Sequence, residues 1–191
     1  MGLVPQNLQK IVDDLQPILK QIVADKEVRT DLDIVLDAIT SEFQSASGNA
    51  TDKTLKGIFN NVAGVMPFFR KMLEKGKPSV WDTAKNVPTL LNLYNNRSNL
   101  QTAFKNPGVE LNAIYDKLLE NAEMQGALER ILNKPVGQDV FKLLQEDGKY
   151  YAVEKLTSND IRFPLPAASY DRVKKLWDNG QNPPAPKGPG F

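Results

Sequence analysis

Residues 54–75, TLKGIFNNVAGVMPFFRKMLEK, decide the fold that this sequence predicts. Apolar side chains recur along them every three or four residues, which is the spacing of one face of an amphipathic α-helix. Pro67 lies inside the pattern and predicts a bend or a break, and Gly76 predicts the end of the helix. The apolar face consists of Leu55, Ile58, Phe59, Val62, Val65, Met66, Phe69, Met72 and Leu73.

The same spacing extends outward in both directions, so the sequence predicts an all-α protein. Pro17 and Pro88 interrupt two further apolar stripes in the way that Pro67 interrupts this one. Ser79 and Ser169 are candidate helix caps. The other helices are predicted near residues 8–23, 28–43, 79–94, 100–104, 109–133, 140–144 and after 169.

Three stretches fall outside the helical pattern. Residues 47–49, Ser-Gly-Asn, predict a loop. Residues 150–153 fit a helix or a strand equally well, whereas the prolines at 163–166 favour an extended chain. Residues 181–191 are rich in proline and glycine, which predicts a disordered tail.

Composition limits the chemistry that this chain can perform. Among its 191 residues are 24 basic and 23 acidic ones, so the net charge of +1 gives no basic excess that would indicate nucleic acid. The chain has no cysteine and no histidine, which excludes disulfides, thiolate metal sites and catalysis by imidazole. We therefore expect no catalytic residues, no metal site, no nucleic-acid partner and no enzyme activity.

The sequence contains no apolar run of the roughly 20 residues that a membrane-spanning helix needs. Residues 1–5 are compatible with the start of a mature chain after removal of a secretory signal, and equally with a plain cytosolic start. We expect a secreted protein whose signal peptide is absent from this chain, and a cytoplasmic protein is the alternative.

An internal repeat emerges when residues 15–36 are laid on residues 111–132, an offset of 96. Their apolar positions coincide, and so do the polar positions Asp25 and Asn121. A second match, at an offset of 104, aligns 66–76 with 170–180 and brings glycine onto glycine. We predict two degenerate helical repeats, at 1–98 and 99–180, packed into one globule.

Four short motifs resemble the insect microvillar allergen family, the group of the cockroach midgut major allergen and related mosquito gut proteins. They are ADKEV at 24–28, SEF at 41–43, MPFFRKMLEKG at 66–76 and ENAEMQGAL at 120–128. The resemblance covers residues 8–94 and, in part, 109–144. It implies a duplicated all-helical module whose halves enclose a large apolar cavity, and secretion into an insect gut.

The resemblance further implies that the cavity carries fatty acids or phospholipids, with no other cofactor. Bent helices and a concentration of large flexible side chains on 54–75 are compatible with such a shell. The residues that we expect to contact lipid are Val35, Ile39, Phe43, Phe59, Val62, Met66, Phe69, Leu73, Leu91, Leu118, Leu132 and Phe141.

Two other functions remain open from the sequence. The same apolar stripes suit a solid-core helical module that binds proteins or acts as an effector through an exposed apolar patch. The helix at 54–75 would also suit contact with a membrane surface, or disruption of the membrane. The oligomeric state is not predicted.

Overall fold

The computed structural model describes residues 6–76, 79–157 and 159–180. The structure is 76% helix, so the mainly helical prediction is confirmed, with a small three-stranded sheet added. The predicted tail at 181–191 lies outside the described residues. The elements are α1 (Gln6–Ala24), α2 (Lys26–Asn49), α3 (Lys53–Lys75), α4 (Val80–Asn95), α5 (Arg97–Lys105), α6 (Val109–Glu120), α7 (Ala122–Leu132), α8 (Pro135–Val140), β1 (Phe141–Glu146), β2 (Lys149–Glu154), β3 (Arg162–Leu165) and α9 (Ala167–Asp178).

The ends of α3 and the start of α4 are set by local chemistry. The Asp52 side chain accepts hydrogen bonds from the amides of Thr54 and Leu55 and thus caps α3. Gly76 ends this helix in the left-handed conformation, at φ 74°, which glycine adopts without steric cost. Ser79 caps α4 by accepting from the Asp82 amide, as its position in the sequence predicts.

Several predicted helix boundaries are wrong. Residues 47–49 continue α2, and the predicted helix at 109–133 is two helices that meet at Asn121. Ser169 lies inside α9, where its hydroxyl donates to Glu129 at 2.7 Å. The internal prolines do not divide α1, α3 or α4, since each helix continues through Pro17, Pro67 or Pro88.

The predicted helix at 140–144 is also wrong, because Phe141 begins strand β1 of an antiparallel hairpin. Asp147 and Gly148 form its two-residue turn at φ 52° and 74°, as the type I′ hairpin turn requires. The apolar spacing of Phe141 and Leu144 suits a helix, but the turn overrides it. The strand order is β1-β2-β3, and β3 pairs antiparallel with β2.

One large core contains side chains from both predicted repeats. α2 packs against α3 on one side and against α6 and α7 on the other. Phe43 and Phe59 meet edge to face there, with ring centroids 5.4 Å apart. Gln125 of α7 donates to the carbonyl oxygens of Leu118 and Pro164, which joins α6, α7 and β3.

The two helix junctions in the proposed repeat share their local geometry. Asp25 caps α2 and Asn121 caps α7, each accepting from the amide three residues on. Each cap amide also donates to the carbonyl three residues before it. The elements beyond the junctions differ, because α2 has 24 residues whereas α7 has 11 and leads through α8 into the sheet. Repeats of whole modules therefore stay a prediction.

Candidate functional site

The residues expected to contact lipid divide into two groups by burial. Eight lie in the large core and pack against one another: Val35, Ile39, Phe43, Phe59, Met66, Leu118, Leu132 and Phe141. Four keep part of their surface in contact with solvent: Val62, Phe69, Leu73 and Leu91. The first three of these lie on α3 and the last on α4. The partly exposed group thus lies on two neighbouring helices.

Helix α4 packs shallowly, although much of its sequence is apolar. Thr83 is its one buried residue, and Val87, Leu90 and Leu91 are only half-buried. At its N-terminal end Trp81 is 79% exposed, which is unusual for so large an apolar side chain. This helix therefore leaves apolar surface in water that a tighter contact would cover.

The interface between α3 and α4, the α3–α4 seam, is closed by few strong contacts. The Asn61 amide donates to the Asn92 side-chain oxygen at 2.7 Å. The Lys71 ammonium lies 3.6 Å from the Asp82 carboxylate, with Lys71 largely exposed. Exposed pairs of this kind contribute about 0–1 kcal/mol. A small set of apolar contacts holds most of the seam.

Leu90 and Leu93 of α4 pack against the large core, and Leu90 also packs against a separate, smaller apolar cluster. Leu19, Phe68 and Met72 are buried in it, and we call it the Phe68 cluster. Leu73 of α3 and Leu90 of α4 both pack against it from the partly exposed side. The Phe68 cluster thus contacts α3 and α4 together.

Beside that cluster, α2 and α3 form an open groove of about 550 Å³. Two acidic side chains, Asp33 and Glu74, line the groove, and Pro67 and Leu73 form its apolar wall. Four basic side chains also line it: Lys26, Arg29, Arg70 and Lys71. Basic groups outnumber acidic ones, so the groove favours an anion over a cation.

The groove's charges are unevenly paired. Arg70 contacts Asp33 at 3.4 Å and donates to Asp37. Arg29 is half-buried, and its Nε is shielded from solvent with no hydrogen-bond acceptor among the described residues. A buried donor left unpaired costs about 1–3 kcal/mol. Arg29 is therefore the basic side chain with the most to gain from an anionic ligand.

The first turn of α2 is fixed beside the groove by ion pairs with α7 and the segment directly after it. Lys134 lies 3.3 Å from Asp25 and 3.1 Å from Glu27, and its hydrogen bond to Glu27 raises its pKa. Arg130 forms two-pronged hydrogen bonds with Asp31, and these raise its pKa. The Asp25 carboxylate also caps α2, so this helix end is occupied by the protein's own acceptor.

The groove was not predicted from the sequence, because the sequence shows only how the charged residues are spaced on each helix. Lys26, Arg29 and Asp33 share one helical face by spacing, and Arg70 and Glu74 share another. Each face alone is typical of a solvated helix surface. That the two faces meet depends on the packing of α2 on α3, which no local pattern specifies.

Two further findings bear on the site. Within 6–76, 79–157 and 159–180, no three acidic side chains come together as a set of metal ligands. None of the helices in those ranges combines the length with the apolar character that a membrane-spanning segment needs.

Comparison with known proteins adds no relative to this description. No protein-family model matches the chain, and neither the curated proteins nor the solved structures searched gave a significant match. A function must therefore be inferred from the groove, the Phe68 cluster and the α3–α4 seam.

Proposed function

We propose that this protein binds and carries single-chain or double-chain lipids without catalysing a reaction on them. The hydrocarbon chain enters between α3 and α4, where it contacts Val62, Phe69 and Leu91. The observation that carries the proposal is the shallow packing of α4, which buries Thr83 alone despite its many apolar side chains. A hydrocarbon chain in the seam would cover the surface that α4 leaves in water.

The free energy of apolar burial favours a hydrocarbon ligand in the α3–α4 seam. Each methylene transferred from water into an apolar contact contributes about 0.8 kcal/mol. Moving α4 breaks two exposed polar pairs and the contacts of Leu90 and Leu93, which pack against the large core and, for Leu90, the Phe68 cluster. Neither leucine is fully buried, so these contacts are only part of what a tightly packed helix would lose. A lipid therefore replaces weak packing with more extensive apolar burial.

The lipid lies in the α3–α4 seam in this proposal, and not in the central cavity that the family resemblance implies. A shell around a central cavity would place lipid among Val35, Phe59 and Leu132, yet these side chains are packed against their neighbours in the large core. The α3–α4 seam uses the partly exposed members of the predicted set instead. A secreted, allergen-like carrier of the kind that the family resemblance implies would suit this role, and the central cavity remains part of that resemblance.

A cross-link across the seam tests the proposal. The chain has no cysteine, so Asn61→Cys with Asn92→Cys places a single thiol pair where these two side chains meet. In the control, a monofunctional reagent caps both thiols without joining the helices. Native mass spectrometry of this capped, delipidated variant with added oleate should show protein–oleate complexes. The same variant joined by a short bifunctional reagent should lose at least about tenfold in affinity.

Two results would overturn the proposal. One is that neither wild type nor capped variant binds oleate and that lipid extracts of the purified protein are empty. The other is that the cross-linked form binds oleate as tightly as the capped form, because the chain would then lie outside the seam.

A second candidate function is protein binding through the exposed end of α4. Val80 and Trp81 are 66% and 79% exposed on adjacent positions, and tryptophan is enriched at the energetic centres of protein interfaces. Trp81→Ala would abolish such binding while leaving oleate affinity within about twofold, since Trp81 lies outside the Phe68 cluster. A pull-down against a defined partner, compared with oleate binding, separates the two functions.

A further inference from the structure

We infer that the groove between α2 and α3 binds an anionic oxygen group, a carboxylate or a phosphate, with Arg29 as its main ligand. In its full form the inference rests on the proposed function, because it makes this anion the headgroup of the lipid that occupies the α3–α4 seam. A free phosphate or carboxylate offers the same chemistry and is the other source of ligand.

The charge pattern of the groove selects for an anion. Lys26 is exposed and forms no ion pair with described residues, and Lys71 is held only by a distant contact with Asp82. Asp33 is already engaged by Arg70, which reduces its repulsion of an incoming anion. Glu74, exposed like Lys26, offsets one of these positive charges. The uncompensated charge in the groove is therefore positive.

Arg29 adds a hydrogen-bonding requirement to this charge. Its Nε is buried without an acceptor among the described residues, whereas a planar guanidinium matches the two oxygens of a carboxylate or phosphate. The α2 N-terminus does not supply the binding, because Asp25 already accepts from the amides of Glu27 and Val28. Recognition therefore depends on side chains that line the groove.

One side chain joins the groove to the apolar region that the lipid chain would use. Leu73 lines the groove and also packs against the Phe68 cluster. Leu90 of α4 packs against the same cluster from the seam. One amphiphile can thus place its charged end beside Arg29 and its chain along the Phe68 cluster toward α4.

Paired ligands with the same chain test the headgroup part of the inference. Oleate and oleyl alcohol differ only in the carboxylate, so a headgroup site distinguishes them. We expect Arg29→Gln to weaken oleate binding about tenfold and to leave oleyl alcohol binding within about twofold. Lys26→Gln, an exposed position, should weaken oleate binding by about threefold without affecting folding.

Lys56→Gln is the matched control, because Lys56 is an exposed lysine of α3 that does not line the groove. It removes the same charge and should leave the affinities for both ligands unchanged. Thermal unfolding of each variant shows whether it folds. If Arg29→Gln does not fold, Lys26→Gln still tests the headgroup site.

Inorganic phosphate separates the two sources of the anion. If oleate fails to bind but phosphate binds and this binding depends on Arg29 and Lys26, the proposed function fails and the groove stands as a site for small anions. If oleate binds but no groove variant distinguishes it from oleyl alcohol, the proposed function stands and the inference is overturned. If groove variants alter neither oleate nor phosphate binding, the inference is overturned as well.

Discussion

Helices α7 and α4 have similar apolar content but very different burial. α7 buries six of its 11 residues, among them Met124 and Leu132 with no exposed surface. α4 buries one of its 16 residues and leaves Trp81 almost fully in water. α7 has α2 on one side and the C-terminal elements α8 and α9 around it, whereas α4 contacts mainly α3 and α5. The number of packing partners, more than helix composition, sets how firmly a helix is held.

Under the proposed function, this difference separates the elements that stabilise the fold from the element that opens to bind lipid. Elements with few buried apolar contacts open at low free energy, and mobile binding elements are drawn from them. We therefore expect α7 to belong to the stable frame and α4 to be the element that moves. The groove lies between α2, which the Arg130–Asp31 ion pair joins to α7, and α3, which packs against α4.

The largest expected effect comes from truncating the same residue type in each helix. Leu132→Ala removes a side chain with no exposed surface and should lower the free energy of unfolding by about 2–5 kcal/mol. Leu91→Ala removes a half-buried side chain outside the core clusters and should cost about 1 kcal/mol or less. Denaturant unfolding of both variants measures the difference. Equal losses would show that α4 is packed as firmly as α7.

A smaller effect is expected at the hairpin turn of the stable region. Gly148 has φ 74° with open space where a Cβ would lie, so Gly148→Ala meets backbone strain without a clash. We expect a loss of about 1–2 kcal/mol, the cost of a left-handed conformation for an L-residue. Gly57→Ala on α3, where a Cβ also meets open space, should instead be neutral or slightly stabilising. A loss at Gly57 as large as that at Gly148 would contradict this interpretation of the turn.

The smallest effect is electrostatic and depends on pH. Arg172 donates to both oxygens of Glu129 at 2.7 and 2.9 Å, and these bonds lower the pKa of Glu129. Because the pKa is lower in the folded state, the stabilisation is present above the ordinary glutamate pKa and is lost as pH falls through the folded-state pKa. Glu129→Gln should therefore cost about 1 kcal/mol or less at neutral pH. The difference from wild type should vanish in acid. A difference that persists at low pH would show that the ion pair is not its cause.

Local features of the fold were predictable where neighbouring residues decide them. Gly76 and Ser79 end one helix and begin the next as their residue types predict, because caps depend on side chains within a few positions. The Asp147-Gly148 pair is the usual signal of a two-residue hairpin and would have revealed β1 and β2. Instead, the apolar spacing around Phe141 favoured a helix.

Features that depend on distant packing were not predictable in the same way. Val35 and Leu91 are equally apolar in the sequence, yet one is buried in the core and the other is half-exposed. The groove needs Arg29 and Arg70 to meet across two helices that are separate in the sequence. Apolar spacing identifies which face of a helix is apolar, but the elements that pack against the helix determine how much of that face is buried.

Hydrogen–deuterium exchange with and without oleate tests the central claim most directly. In delipidated protein, the amides of α4 should exchange much faster than those of α7, because few buried contacts hold α4 closed. Oleate should slow exchange in α4 and along the Phe68 cluster, and leave α7 unchanged. Slow exchange in α4 before lipid is added, or protection by oleate confined to α7 and the large core, would contradict a lipid site in the α3–α4 seam.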